Sequence, residues 1–273
     1  MDDVLTEAVL ESSLDLDRRS IGEILEAIHD QDRIALAAVG AVLPEVERAV
    51  EILVLALSGG GRWFNVGAGT SGRIGVLDAA EIPPTFGYPP DRVQGILAGG
   101  PDALITAVEG AEDRAEDARR ALRQRDLLPG DAVVAISASG RTPFALAALE
   151  EAQQAGARRI AITCDPEAPL VLRAEVAIAP VVGPEVIAGS TRLKGGLAEK
   201  AVLHLLSTAV MVKLGRVEGN RMTHMRPVSS KLRRRAVGLV VALARVDEDE
   251  ARRLLHDHGG CVSDAVAEAR RAG

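Results

Sequence analysis

"GAGTSGRIGVLDAAEIPPTFG", Gly67 to Gly87, decides how the rest of the chain is read. Its first six residues fit G-x-G-x-x-G, a turn that brings backbone N–H groups against a phosphate. The apolar run RWFNV precedes it and RIGVLDAA follows, so the order is strand, glycine turn, helix. A dinucleotide site would add an acidic residue at the end of the second strand, about 20 positions on, to hold a ribose. The next strand candidate, VQGILAGG, ends in Ala-Gly-Gly, and the nicotinamide reading is set aside. Glu81 is followed at once by Ile82-Pro83-Pro84, which reads as a stiff turn fixing the loop after Glu81, because each proline locks φ.

Four further short apolar runs end in glycine or turn residues: VQGILAGG, AVVAISASG, RRIAITCDP and VAIAPVVG. They are apolar without alternation, the pattern of buried parallel strands. Helical stretches lie between them, including EDRAEDARRALRQR, PFALAALEEAQQAG and GGLAEKAVLHLLSTAVMVKLG. The expectation is an α/β fold, a doubly wound parallel sheet, preceded by N-terminal helices between about Ser20 and Leu57 and followed by a small C-terminal helical domain. Asp32 and Pro44 are read as helix starts or kinks. The expected divisions are 1–46 for the helical arm, 47–225 for the sheet domain and 226–273 for the helical end, with a boundary near Arg226-Pro227.

The stretch VVAISASGRTPF repeats the arrangement of strand, hydroxyl-rich turn and helix. N–H groups at a helix start, joined by Ser and Thr hydroxyls, suit a phosphate dianion. Two such loops at the carboxyl ends of parallel strands converge on one crevice. Gly69, Thr70 and Ser71 would form one lip and Ser137, Ser139 and Thr142 the other, a site sized for one phosphorylated sugar. The plain alternative is that these hydroxyls only cap helices.

Composition narrows the classes. Hydrophobic residues make up 47% of the 273 and aromatics 2%, so the core is built from Ala, Val, Leu and Ile. A formal net charge of −7 argues against a general nucleic-acid partner, and the run KLRRR (Lys231 to Arg235) is read as the solvated side of a helix. Cys164 and Cys261 stand far apart and read as reduced thiols, Cys164 as a buried small hydrophobe. The opening MDDVLTEAVLESS has no basic-then-apolar leader, and no apolar run is read as reaching the roughly 20 residues of a membrane span. A cytoplasmic protein without membrane contact is expected.

Four blocks together carry a family resemblance: GAGTSGRIGVLDAAEIPPTFG, VEGAED, SASGRTPF and GPEVIAGSTRLKGG. The two loops look like the sugar isomerase (SIS) domain, and the whole set closely resembles the N-acetylmuramic acid 6-phosphate etherases, from about Thr6 to the end of the chain. The resemblance implies cleavage of a D-lactyl ether at C3 of the sugar phosphate by elimination and hydration, with neither metal nor organic cofactor. It implies that Glu81 is the proton donor and Glu112 the second catalytic glutamate. From charge alone Glu109, Glu112 and Asp113 are equivalent candidates; the family pattern selects Glu112. The chain departs from that pattern at Leu10, at Cys164-Asp165-Pro166 and at Thr223-His224.

Glu185 and Lys194, in GPEVIAGSTRLKGG, are further candidates for substrate binding, or for pairing at a subunit interface. His204 on its apolar helix reads as a packed core residue, and His256, His258 and Cys261 match no standard zinc spacing. SIS domains pair, so a homodimer is expected, with the N-terminal helices and the stretch from Leu197 to Leu214 as contact candidates. The rival readings are a sugar-phosphate sensor of the glucokinase regulatory kind, which binds without turnover, and an aldose–ketose isomerase.

Overall fold

In the computed structural model, residues 5–272 are described, apart from Arg226 and Val228. Five strands, β1 (Trp63–Gly67), β2 (Val93–Leu97), β3 (Ala132–Ile136), β4 (Arg158–Ile162) and β5 (Val176–Ile178), form one parallel sheet in the order β2-β1-β3-β4-β5. The register aligns their carboxyl ends: Gly67 stands beside Leu97 and Ile136, Ile136 beside Ile162, and Ile162 beside Ile178. The chain leaves β1 toward β2 on one side and returns to β3 on the other, so the order reverses at β1/β3. In such sheets the crevice at that reversal is where ligands bind.

Helices α1 (Ile21–Ala41), α2 (Leu43–Ser58), α3 (Gly69–Phe86), α4 (Ala115–Arg123), α5 (Pro143–Ala155) and α6 (Lys194–Lys213) accompany the sheet. Ser20 and Glu23 close a capping box at the start of α1, and Pro44 occupies the first turn of α2, a start as expected. Asp32, by contrast, lies inside an unbroken α1. The aromatic-poor sequence packs through small residues: Ala145, Ala148, Leu149 and Ala152 of α5 join Phe64, Val66, Val133 and Ala135 in one buried cluster.

The foot of the sheet is tied by glycine and charge. A Cβ on Gly61 would stand 1.9 Å from the Gly130 carbonyl oxygen, so the chain segments entering β1 and β3 touch backbone to backbone. The Asp131 carboxylate accepts from Arg62 N at 2.7 Å, from the Arg62 guanidinium at 2.6 Å and from Leu128 N at 2.9 Å.

The chain divides into two compact units, Met1–Ala79 with Asp91–Val210, and Ala80–Pro90 with Met211–Gly273. Within the second, α7 (Ser230–Ala244), α8 (Glu248–Asp257) and α9 (Val262–Ala272) bury Val240, Leu254, Val262 and Ala265 against one another. The boundary expected near Arg226-Pro227 falls at a residue outside those described. The run Lys231 to Arg235 is exposed apart from a partly buried Leu232. Among the described residues, α6 is 20 residues long and apolar enough to cross a membrane by length and composition, which corrects the reading that no run reaches that length. Within its most apolar stretch 61% is buried inside the protein, as in a core helix.

Candidate active site

Both glycine-containing loops stand where the strand order reverses. After β1, Ala68 leads into α3, whose first residue, Gly69, has φ +53°. The spacing of the glycines follows from contact distances. A Cβ on Gly72 would lie 2.4 Å from the Gly67 carbonyl oxygen and 2.5 Å from Leu97 Cδ1; one on Gly67 would lie 2.9 Å from both Gly72 N and Ile136 O. Strand and helix therefore cross at a separation that admits hydrogen only. The buried Asn65 amide, donating to the Gly75 carbonyl at 3.1 Å, fixes the same crossing one turn further along.

After β3, Gly140 turns at φ +62° and donates to the Ser137 carbonyl at 2.9 Å. Ser137 Oγ lies 2.9 Å from Thr142 Oγ1 and 3.4 Å from Ser139 Oγ. Thr142 is the N-cap residue of α5, yet its side chain makes no capping bond. Its hydroxyl belongs to the loop cluster, so capping does not explain why it is there.

A cavity of about 420 Å³ opens between these loops, lined by Thr70, Ser71, Ser137, Ser139, Thr142 and Glu112 among others. Glu112 lies in a short 3-10 turn, Ala111–Asp113, introduced by Gly110 in the left-handed region at φ +68°. Asp113 lines the same cavity, while Glu109 lines only a smaller adjoining one of about 170 Å³. Of the three equivalent carboxylates, geometry thus leaves Glu112 and Asp113 on the larger cavity.

Glu81 is exposed on α3, in the stretch of that helix that belongs to the second unit. The turn expected at Pro83-Pro84 is not formed, and α3 runs through both prolines to Phe86. The proline φ is itself helical, and the lost N–H bonds fall in the last turn, where Gly87 N closes on the Pro83 carbonyl at 2.9 Å and leaves the helix at φ +60°.

Glu185 and Lys194 are brought together, behind the cavity rather than on its wall. The buried Glu185 carboxylate accepts from Lys194 N at 3.2 Å and Gly195 N at 2.8 Å, capping the start of α6. Burial pushes the Glu185 carboxyl above its usual range against the pull of those two N–H groups and the Lys194 ammonium. Burial likewise lowers Lys194, whose Nζ donates to Gln31 of α1 at 2.6 Å. His204 is exposed, not packed, with Nδ1 3.1 Å from the Lys200 carbonyl. His256 is exposed, and His258 pairs with Glu268 at 2.7 Å.

Three groups near the cavity were not anticipated. Glu7 and Arg141 line it, and Arg141 Nε is buried with no acceptor among the described residues. Glu199 of α6 is buried beneath it and accepts from Ser71 Oγ at 2.8 Å. Arg141 is legible as the one cation within SASGRTPF. Glu199 has a periodic signal, since Val202, Leu203, Leu206 and Val210 follow at helical spacing and all are buried.

Comparison with known proteins identifies the family and the fold. Residues 45–153 match the glucokinase regulatory protein N-terminal SIS domain, and residues 122–209 match the SIS domain. The N-acetylmuramic acid 6-phosphate etherase of Symbiobacterium thermophilum is 50% identical over 263 residues, covering 96% of this chain and 87% of that protein. The one from Mesorhizobium japonicum is 45% identical over 254 residues, covering 93% and 83%. A phosphoheptose isomerase from Francisella tularensis, of solved structure, shares the fold, with TM-score 0.52 and 20% identity over 70% of this chain and 98% of that one. The chain belongs to the N-acetylmuramic acid 6-phosphate etherases, a family of carbon–oxygen lyases built on the SIS domain.

Proposed function

We propose that this protein cleaves the D-lactyl ether of N-acetylmuramic acid 6-phosphate, giving N-acetylglucosamine 6-phosphate and D-lactate. The observation that carries the reading is the cavity at the β1/β3 reversal, where two hydroxyl-lined loops and the Glu112 carboxyl share one space. The loops receive the 6-phosphate: N–H groups at the start of α3, with Ser71, Ser137, Ser139 and Thr142, supply donors to a dianion. The Arg141 guanidinium, 3.4 Å from the Asp165 carboxylate through Nη2 and with no acceptor for Nε among the described residues, supplies the cation on the cavity wall.

The proton at C2 becomes acidic when the sugar ring is open and C1 is an aldehyde. Glu112 removes that proton, the C3–O bond breaks, and Glu81 protonates the departing lactate oxygen. Water then adds at C3 of the unsaturated aldehyde. Oxidation state is unchanged overall, so the sequence of steps calls on proton transfer alone. Glu81 takes its role from the family pattern. Glu185 and Lys194 act indirectly, by holding the first turn of α6 against the cradle.

Exposed apolar side chains on α1, Ile21, Leu25 and Leu36, support a homodimer, and the reaction belongs with cytoplasmic recycling of cell-wall sugars. The match of residues 45–153 to a regulatory-protein domain favours one rival, a sensor that binds sugar phosphate without turnover. Incubation with N-acetylmuramic acid 6-phosphate and enzymatic assay of D-lactate separates the readings: release supports the lyase, and tight binding without release supports the sensor. Interconversion of aldose and ketose phosphates without lactate would mark an isomerase.

A further inference from the structure

Glu199 is 1% exposed, makes no ion pair among the described residues, and has one hydrogen-bond partner, Ser71 Oγ at 2.8 Å. Its second oxygen, Oε2, has no partner among those residues. A carboxylate ion in that setting is withdrawn from bulk solvent and has no cation paired with it among the described residues. The titratable groups around it give no relief. Cys164, from the loop after β4, is a buried thiol, and Glu185, ahead of α6, is another carboxyl. On α6 itself the Lys194 ammonium is turned to Gln31. Further along α3, Asp78 accepts from Ser207 at 2.9 Å. Burial pushes the Glu199 carboxyl up to about 8.

Ser71 stands in the first turn of α3 and lines the cavity. A serine hydroxyl has one hydrogen to give. If Glu199 is ionised, that hydrogen is held by Glu199 Oε1, and a buried negative charge lies one residue behind the site for a dianion. If Glu199 is a neutral acid, the direction reverses: Glu199 donates to Ser71 Oγ, and the serine hydrogen is released to the cavity.

We propose that Glu199 is a positioning residue for the phosphate cradle, acting as a neutral acid that donates to Ser71 so that Ser71 can donate to the bound phosphate. Binding of a sugar phosphate is then coupled to one proton on a residue that the ligand never touches. This rests on the two loops being the phosphate site, as proposed above, but not on the chemistry at C3. The α6 backbone is close enough for the coupling to be direct, since a Cβ on Gly196 would lie 3.1 Å from Thr70 Cγ2 and one on Gly195 3.5 Å from Ala138 Cβ.

The test is calorimetric titration with N-acetylglucosamine 6-phosphate between pH 7.5 and 9.5, where the ligand phosphate is already a dianion. The wild-type protein should bind about 20-fold more weakly at pH 9.5 than at pH 7.5, approaching the tenfold per unit of one linked proton. In buffers of differing ionisation enthalpy, binding at pH 9 should take up close to one proton, a measurement that needs no variant. Glu199→Gln, whose amide donates to Ser71 at every pH, should show an affinity that changes by about twofold or less over the same range. Cys164→Ala should keep the wild-type profile. A flat wild-type profile without proton uptake, or an unchanged profile in Glu199→Gln, overturns the proposal while leaving the cradle standing. Absence of binding at every pH removes the cradle and the proposal together. Because lactate release is not the readout, failure of the lyase reading alone leaves the experiment decisive.

Discussion

Replacing Glu199 by glutamine should stabilise the folded protein, and by an amount that grows with pH. Below about pH 4.5, its ordinary value, the glutamate is protonated whether the chain is folded or not. Between there and about 8 only the unfolded chain ionises, because burial keeps the folded carboxyl neutral. The unfolded state then binds fewer protons than the native state, and stability falls as pH rises. Each unit of pH in that window favours unfolding by about 1.36 kcal/mol, and above it the penalty is constant. From pH 5 to pH 8 the difference between the two proteins should therefore widen by about 4 kcal/mol in favour of glutamine. Urea unfolding of both proteins at equal concentration, at pH 5, 6, 7 and 8, measures this as a difference of differences. The opposed shifts of Glu185 and Lys194 are common to both chains and cancel. A gap that stays constant across the range would show that Glu199 ionises as a solvent-exposed glutamate does, and the reasoning would be refuted.

Other outcomes follow from the site. Glu81→Gln should still exchange the C2 hydrogen of the substrate for deuterium in heavy water while lactate release nearly stops. Glu112→Gln should lose both by the ~100- to 10,000-fold typical of a missing general acid or base; NMR of the recovered sugar, beside lactate assay, distinguishes them, and the opposite pattern exchanges the two roles. Ser139→Ala should weaken sugar-phosphate binding by about 1.5–3 kcal/mol, the worth of a hydrogen bond to a charged group, and unchanged affinity would put the phosphate elsewhere. Gly72→Ala must push the Gly67 carbonyl aside from a 2.4 Å contact, so thermal unfolding should show a loss of about 1–3 kcal/mol together with weaker ligand binding.

Local rules made much of this molecule legible. The strand runs of buried aliphatics and the glycines at 67 and 72 describe constraints acting within a few residues, and the structure keeps them. The hydroxyl loops were readable for the same reason. Glu112 was not separable from Asp113, because both occupy one 3-10 turn and both line the cavity. Pro83 and Pro84 misled because their φ is compatible with a helix that is about to end. His204 misled because α6 is apolar on average, whereas one of its faces meets solvent. Glu7, whose carboxylate would meet a Cβ on Gly189 at 2.9 Å, comes to the cavity across most of the length of the unit. No local pattern encodes such a return.

The glycine contact and the Arg62–Asp131 tie at the foot of the sheet hold the starts of β1 and β3 together. Each strand is five residues long, a span of roughly 16 Å, and each ends in one of the two hydroxyl loops. The pair behaves as the two arms of a caliper whose pivot lies far from its jaws. The opening between Ser71 and Ser139 is therefore governed from the foot of the sheet, and a lesion at Asp131, remote from the proposed cradle, should reach the jaws as a changed spacing and be read as weaker sugar-phosphate binding.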